Sequence, residues 1–304
     1  MSNTFIYSEL STFLREDQIL ENAQMKDHTS FKAGGKADLL LLPEDECQVK
    51  SIIEVCKKNS TSYYIMGNGS NLLVRDKGYH GIIIKLSKNF ANCTLVGDTI
   101  ECQSGASLAR ISRIAHENSL EGFEFAGGIP GTLGGAVTMN AGAYDGEIKD
   151  VLISARGLDM DGNIHELING ELDFGYRTSA VQRRNLIVLS AKIKLKSGNQ
   201  KAIKEKMDDF DQRRKSKQPL DMPSAGSTFK RPAGHFAGKL IEDCDLKGFS
   251  IGGAQVSCKH CGFVINKGDA TASDITALID HIHDTVKARF NVILEPEVKI
   301  IGEE

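Results

Sequence analysis

A protein of mixed helices and strands, in more than one domain, is what this sequence predicts, on three observations. Residues 37–86 alternate strand, helix and strand patterns, a βαβ order that implies parallel pairing. Residues 94–195 carry alternating strands joined at glycine turns, the mark of antiparallel hairpins. Beyond Pro219, short strand-like runs lead into one long helix with an apolar stripe.

Each element has a local reason. ADLLLLP (37–43) is a buried strand stopped by proline. In 44–58, Val49, Ile52, Ile53 and Cys56 recur at helical spacing. SYYIMG (62–67) and GIIIKL (81–86) are strands on either side of the turn GNGSN. TLVGDTIECQSG (94–105) is a hairpin about Gly97-Asp98, and 107–120 is helical with Leu108, Ile111 and Ala115 on one face. Two alternating strands within 151–168 meet at Asp161-Gly162, and LIVLSAKIKL (186–195) is another. A helix is expected in 201–218, where Ile203, Met207 and Phe210 share a face; Pro219 ends it, and a domain boundary is placed near there. GFVINKG reads as a strand. A helix then starts near Ser273 or Asp274, with Ile275, Leu278, Ile279, Ile282, Val286 and Phe290 as its stripe. NVILEPEVKII closes the chain as a strand interrupted by Pro296, at an edge or an end.

The 304 residues have room for two or three domains. A net charge of −3 supplies no field for nucleic acid or an anionic membrane surface. No apolar run approaches the roughly 18 residues of a membrane span, and MSNTFIYSELSTFLREDQ lacks a basic-then-apolar signal pattern. A cytoplasmic protein without nucleic-acid or membrane partners is expected. The RRKSK run (213–217) reads as a solvated helix end. Seven cysteines, an odd number, favour reduced thiols over a disulfide framework. Cys258 and Cys261 have CxxC spacing, but no second ligand pair completes a zinc site, so no metal is expected and two free thiols near a strand are.

Glycine is concentrated in GGIPGTLGGAVTMNAGAYDGE (127–147). It serves either tight packing or a backbone that approaches a ligand closely, with N–H groups turned towards an anion. Packing accounts for Gly134, Gly135 and Ala136; it does less for Gly128–Gly131, where proline sets the turn. No GxxxxGK[ST] occurs, and GNGSNL lacks the third glycine of a dinucleotide fingerprint. In that turn Gly67 and Gly69 permit close approach, while Ser70 and Asn71 add donors. Together the two segments point to a nucleotide or dinucleotide cofactor, and no further. A nucleotide-sugar transferase or isomerase without redox chemistry would use the same turns.

Four places hold polar residues suited to chemistry. GYRTS sets Arg177 beside Tyr176. PSAGSTFKRP exposes Ser227 among small residues, with Lys230 and Arg231 nearby to suit an anionic substrate, and no GxSxG elbow makes it a hydrolase nucleophile. LEPEV places Glu295 and Glu297 on one face of the expected strand, where like charges raise each other's pKa. KHCGFVIN offers His260 and Asn266, with a structural histidine as the expectation.

In order, GNGSNLL, GIPGTLGGAVTMNAGAY, GYRTS, PSAGSTFKRP, IGGAQVS–KH and LEPEV closely resemble the UDP-N-acetylenolpyruvoylglucosamine reductase family, from FKAGGKAD to the end of the chain. The short spacing between Tyr144 and Arg177 is similar to that of its shorter, second type. The resemblance implies a vanillyl-alcohol-oxidase/PCMH-like FAD-binding fold. It would have two α+β subdomains, 1–86 and 87–207, plus a substrate-binding α+β domain, 208–304, whose final strand returns to the FAD-binding part. It implies non-covalent FAD, NADPH as co-substrate and a UDP-sugar substrate in peptidoglycan precursor synthesis, on a monomer. Gly67, Asn68, Gly69, Ser70 and Asn71 would bind the cofactor. So would Gly127, Gly128, Ile129, Pro130, Gly131, Gly134 and Ala136.

The resemblance also assigns chemistry. Arg177 and Glu297 would stabilise an enolate-like intermediate of the substrate, and Ser227 would deliver the closing proton. Tyr144 and Tyr176 would line the cleft, and Lys230 and Arg231 would pair with the diphosphate. The chain departs from the family pattern at Asp245, where glycine is usual, and at Cys261, where alanine is common.

Overall fold

The structure, a computed structural model, describes residues 3–304. A four-stranded sheet runs in the order Ile19–Gln24, Lys36–Leu41, Tyr79–Lys85, Tyr63–Met66. Its last pair is parallel, with Tyr63 opposite Ile82; the two strands that flank the βαβ helix, Lys36–Leu41 and Tyr63–Met66, are not neighbours, because Tyr79–Lys85 lies between them. The intervening helix, Glu46–Lys58, starts where the Asp45 side chain accepts the Gln48 N–H. Val49, Ile52, Ile53 and Cys56 are its buried face.

Chain contacts divide the molecule into two compact units. One comprises residues 1–20, 39–68 and 82–213; the other comprises 21–38, 69–81 and 214–304.

The first unit contains a five-stranded antiparallel sheet in the order Ile164–Ile168, Leu152–Leu158, Ile187–Lys194, Thr99–Gln103, Cys93–Val96. Both predicted hairpins are present. Helix Leu108–Glu117, capped by Ser107, lays Leu108, Ile111 and Ala115 into a core that also holds Phe123, Leu133 and Ile193. Part of the glycine-rich segment forms a short helix, Leu133–Thr138, which glycine content concealed in the sequence. Helix Gln200–Lys217 buries Ile203, and Phe210 packs against the same core.

In the second unit, strands Ser250–Ile251, Ala254–Val256 and Val264–Asn266 form an antiparallel sheet. Helix Ala272–Phe290 shares its core through Ile275, Leu278, Ile279, Ile282 and Val286. It begins slightly before the expected residue because Thr271 and Asp274 form a capping box, while the Asp76 carboxylate accepts the Ala272 and Ser273 N–H groups. Phe290, expected in the stripe, is exposed in the last turn. RRKSK is also less uniform than a solvated helix end, since Arg214 is buried.

The chain's end corrects the sequence reading. NVILEPEVKII is not one strand. Only Lys299–Ile301 is, and it pairs in parallel with Leu72–Val74, a buried strand that the sequence did not reveal. Pro296, which lacks an N–H, holds the preceding stretch to a single bridge opposite Phe229.

Candidate active site

In the first unit, several glycines have packing reasons. A Cβ on Gly67 would lie 2.3 Å from Thr132 Oγ1, so the first turn closes directly on the second glycine segment. A Cβ on Gly134 would meet Ser104 Cβ at 2.8 Å, and one on Gly127 would meet Ser112 Oγ at 2.9 Å. Ala136 is buried. Gly135, assigned to packing from the sequence, has its nearest neighbour at 3.8 Å, so a Cβ would fit there. The segment is stitched to its neighbours by Leu108 N–H to Gly131 O (3.2 Å), Leu133 N–H to Ala106 O (2.8 Å) and Gly134 N–H to Ser104 O (2.8 Å). Ser104 Oγ is buried and has no hydrogen-bond partner. An unmet hydroxyl beside a small-residue backbone fits a site for a polar group.

Arg177 sits at the tip of a tight turn in which Gly175 and Thr178 bond each other's backbones. Its φ is +56°, in the left-handed region, and its guanidinium lies 5.4 Å from the Tyr176 ring centroid. Tyr176 is 52% exposed. The turn is anchored by Asn140, a buried residue with its own φ of +44°, whose Nδ2 donates to Gly175 O and to Glu147 Oε2. Lys149 holds the Glu147 carboxyl below its usual range, against the opposing effect of burial and with help from Asn140 and the Arg177 charge. Tyr144 also has a positive φ, +51°. Its hydroxyl donates to Phe210 O at 3.0 Å, and its ring stacks on Phe210 with centroids 4.4 Å apart. Left-handed non-glycine residues clustered in this way are characteristic of functional sites.

In the second unit, the segment bearing Ser227 lies antiparallel to the one bearing Glu297. Glu297 N–H donates to Thr228 O (2.8 Å), and Lys230 N–H donates to Glu295 O (2.9 Å). The Glu297 carbonyl accepts Asn71 Nδ2 at 3.0 Å, and Asn71 O accepts the Lys299 N–H. The Glu297 peptide is therefore held from both sides, once by the Ser227 segment and once by the first glycine turn. In that turn Gly69 has a φ of +67°, which favours glycine, and its carbonyl accepts the Ser30 N–H.

Thr228 is the hub. Its N–H donates to Gly262 O (2.8 Å) and its Oγ1 accepts the Val264 N–H (2.9 Å), both in the interior. Thr228→Val removes that acceptor and leaves a buried N–H unsatisfied. The expected cost is about 1–3 kcal/mol, read as a lower denaturant midpoint; an unchanged midpoint would mean the bond does not matter.

Glu295 is exposed and its carboxylate is paired with the Lys230 ammonium, whereas Glu297 is half-buried. Arg231 lies with its guanidinium 4.0 Å from the centroid of the exposed Phe236 ring. Ser227 is exposed.

His260 is structural, as expected. Its Nδ1 accepts the Gly262 N–H, so the other nitrogen carries the proton, and burial lowers its pKa. Asn266 is a buried hub: its amide donates to Phe31 O and its Oδ1 accepts the Gly268 and Ala270 N–H groups. Asp245 has a φ of +60°, which explains why glycine is the usual residue there; aspartate is among the side chains that tolerate it. Cys258 and Cys261 are free thiols, and burial raises Cys261. Among the described residues, no cluster of His, Cys, Asp or Glu could hold a metal, and no helix is long and apolar enough to cross a membrane.

Sequence reasoning missed Asn140 and Thr228 and read Asn71 only as a ligand donor. The available signal for Asn140 was a lone amide within the small-residue run VTMNAGAY; nothing local marks Thr228.

Known proteins resemble this chain over its whole length. The profile of the UDP-N-acetylenolpyruvoylglucosamine reductase C-terminal domain matches residues 218–301, and that of an FAD binding domain matches residues 37–168. The chain is 52% identical over 298 residues to the UDP-N-acetylenolpyruvoylglucosamine reductase of Clostridium perfringens (strain SM101 / Type A), covering 98% of each chain. It is 50% identical over 304 residues to that of Clostridioides difficile (strain 630), covering 100% of each. The crystal structure of the UDP-N-acetylenolpyruvylglucosamine reductase from Thermus caldophilus superposes with a TM-score of 0.80 at 34% identity, over 93% of this chain and 98% of that one. A structure of alkyldihydroxyacetonephosphate synthase, 18% identical with a TM-score of 0.50 over 65% of this chain and 41% of that one, is similar in fold alone.

Proposed function

The chain belongs to the UDP-N-acetylenolpyruvoylglucosamine reductase family, and from that premise we propose which of its residues serve the reaction. The protein is an FAD-dependent oxidoreductase with the α+β, PCMH-like FAD-binding fold. It uses NADPH to reduce the enolpyruvyl ether of UDP-N-acetylglucosamine to UDP-N-acetylmuramate, a step of peptidoglycan precursor synthesis. This displaces a non-redox transferase or isomerase.

FAD, when bound, supplies hydride-transfer chemistry. The backbone of Gly67–Asn71 and of Gly127–Gly131, with Gly134 and Ala136, would hold it, and the unmet Ser104 hydroxyl supports a polar group nearby. Substrate reduction builds negative charge on the carbon and carboxylate beside the reacting vinyl group. Arg177 offers a rigid fork to that carboxylate. Glu297, in its protonated form, hydrogen-bonds the developing enediolate. Ser227 delivers the proton that completes the lactyl ether. The observation that carries these roles is the clamping of the Glu297 peptide between Thr228 O and Asn71 Nδ2, since this ties the acid, the serine segment and the first glycine turn together. Tyr144 and Tyr176 contact the substrate. The functional division is into residues 1–86, 87–207 and 208–304, in a monomeric cytoplasmic enzyme.

The purified protein is expected to be yellow, with absorption near ~450 nm that bleaches with NADPH and returns on adding the enolpyruvyl substrate. A colourless protein that binds the sugar nucleotide alone would overturn the reading.

Lys230 and Arg231 pair with the diphosphate; Arg231 is exposed, with its guanidinium over the Phe236 ring. Arg231→Ala is expected to raise the KM for the sugar nucleotide about tenfold, more than it lowers kcat. An unchanged KM removes Arg231 from the phosphate site.

A further inference from the structure

Two cysteines that this reaction does not use face each other in the first unit. In the hairpin of Cys93–Val96 and Thr99–Gln103, Cys93 is the direct partner of Cys102. The adjacent pair, Asn92 and Gln103, is hydrogen-bonded, since Gln103 N–H donates to Asn92 O at 2.8 Å. Bonded and non-bonded pairs alternate along an antiparallel ladder, so Cys93 and Cys102 occupy a non-bonded position, where Cα atoms come within about 4.5 Å. That lies at the short end of the ~4.4–6.8 Å range a disulfide spans.

The two sulfurs have different surroundings. Cys102 is 1% exposed, within the core beneath the sheet, whereas Cys93 is half-buried. Cys93 Sγ donates to Ala91 O at 3.7 Å, and Arg110 Nη1 donates to the same carbonyl at 2.7 Å, which sets a fixed cation beside the thiol. The two thiols act on each other as cross-strand neighbours. The Cys102 thiol lowers the Cys93 pKa against the effect of burial, and the Arg110 charge adds to the lowering; the Cys93 thiol, then burial, raises Cys102.

We propose that Cys93 and Cys102 form a peroxide-reactive dithiol, with Cys93 the attacking and Cys102 the resolving sulfur. The Cys93 thiolate attacks one oxygen of hydrogen peroxide. The O–O bond breaks, hydroxide leaves and takes a proton to become water, and Cys93 becomes a sulfenic acid. Cys102 then attacks the Cys93 sulfur. The S–S bond forms, the S–O bond breaks, and the departing hydroxide leaves as water with the Cys102 proton. Overall, two thiols are oxidised by two electrons, and one peroxide is reduced to two waters. An external thiol reduces the product by exchange.

Exposure alone gives a different order of reaction, because Cys47 and Cys258 are both more exposed than Cys93. The FAD-loaded full chain is treated with about one equivalent of hydrogen peroxide and mapped by non-reducing peptide mass spectrometry. The expected product is a Cys93–Cys102 cross-linked peptide pair, two hydrogens lighter, that dithiothreitol separates. In Cys102→Ser, dimedone is expected to trap a sulfenic acid on Cys93; in Cys93→Ser, no adduct is expected on Cys102. Oxidation of Cys47 or Cys258 ahead of Cys93 would overturn the proposal. So would passage of wild-type Cys93 to the sulfinic acid without the cross-link. The wild-type map stands whether or not the Cys102 variant folds.

Discussion

Replacing Ser227 with alanine is expected to slow reoxidation of the reduced enzyme by the enolpyruvyl substrate at least ~10²-fold, while NADPH still reduces the flavin at nearly its original rate. The asymmetry follows from where the residue sits. Ser227 is exposed, and the neighbouring bonds that hold its segment are made by Thr228 and Lys230 backbone atoms and by Thr228 Oγ1. Alanine removes the hydroxyl and none of those bonds, so stability should change by no more than about 0.5 kcal/mol. The loss falls on the step that needs a proton. Stopped-flow absorbance of the two half-reactions separates the cases, and a collapse of both together would make Ser227 structural.

Glu297→Gln is expected to cut the same half-reaction by about 10²–10³-fold, the range lost when one preorganised donor to a developing oxyanion is removed. Glutamine keeps the shape and an N–H donor but cannot present the more acidic carboxyl proton. Because the peptide at this position is bonded through its N–H to Thr228 O and through its carbonyl to Asn71, the substitution leaves the backbone in place. Unchanged oxidation kinetics would exclude Glu297 from the chemistry. Restoration of the rate by Glu297→Asp would show that the carboxyl, rather than the length of the side chain, carries the effect.

Much of the architecture was legible because burial leaves a periodic trace. Helix Glu46–Lys58 buries the residues its spacing indicated, and the turn at Gly97-Asp98 lies between the strands it was expected to join. Legibility failed where the partner is distant or the element is short. Leu72–Val74 has three residues, too few to show a period, and it is a strand only because Lys299–Ile301 lies beside it. The 291–298 segment is rich in strand formers, yet its ladder cannot continue through a proline without an N–H.

The sequence alone determined the longer periodic elements and the ordered motifs that mark the family, because those depend on residues within a few positions of one another. Only tertiary structure decided which glycines serve packing, that Arg177 and Tyr144 adopt left-handed backbone, that Lys230 is engaged by Glu295, and that Asn71 holds a peptide 226 positions away. A hydrogen bond or a close approach is fixed by whichever group the completed fold brings within reach, and a pattern of neighbours along the chain carries no record of that.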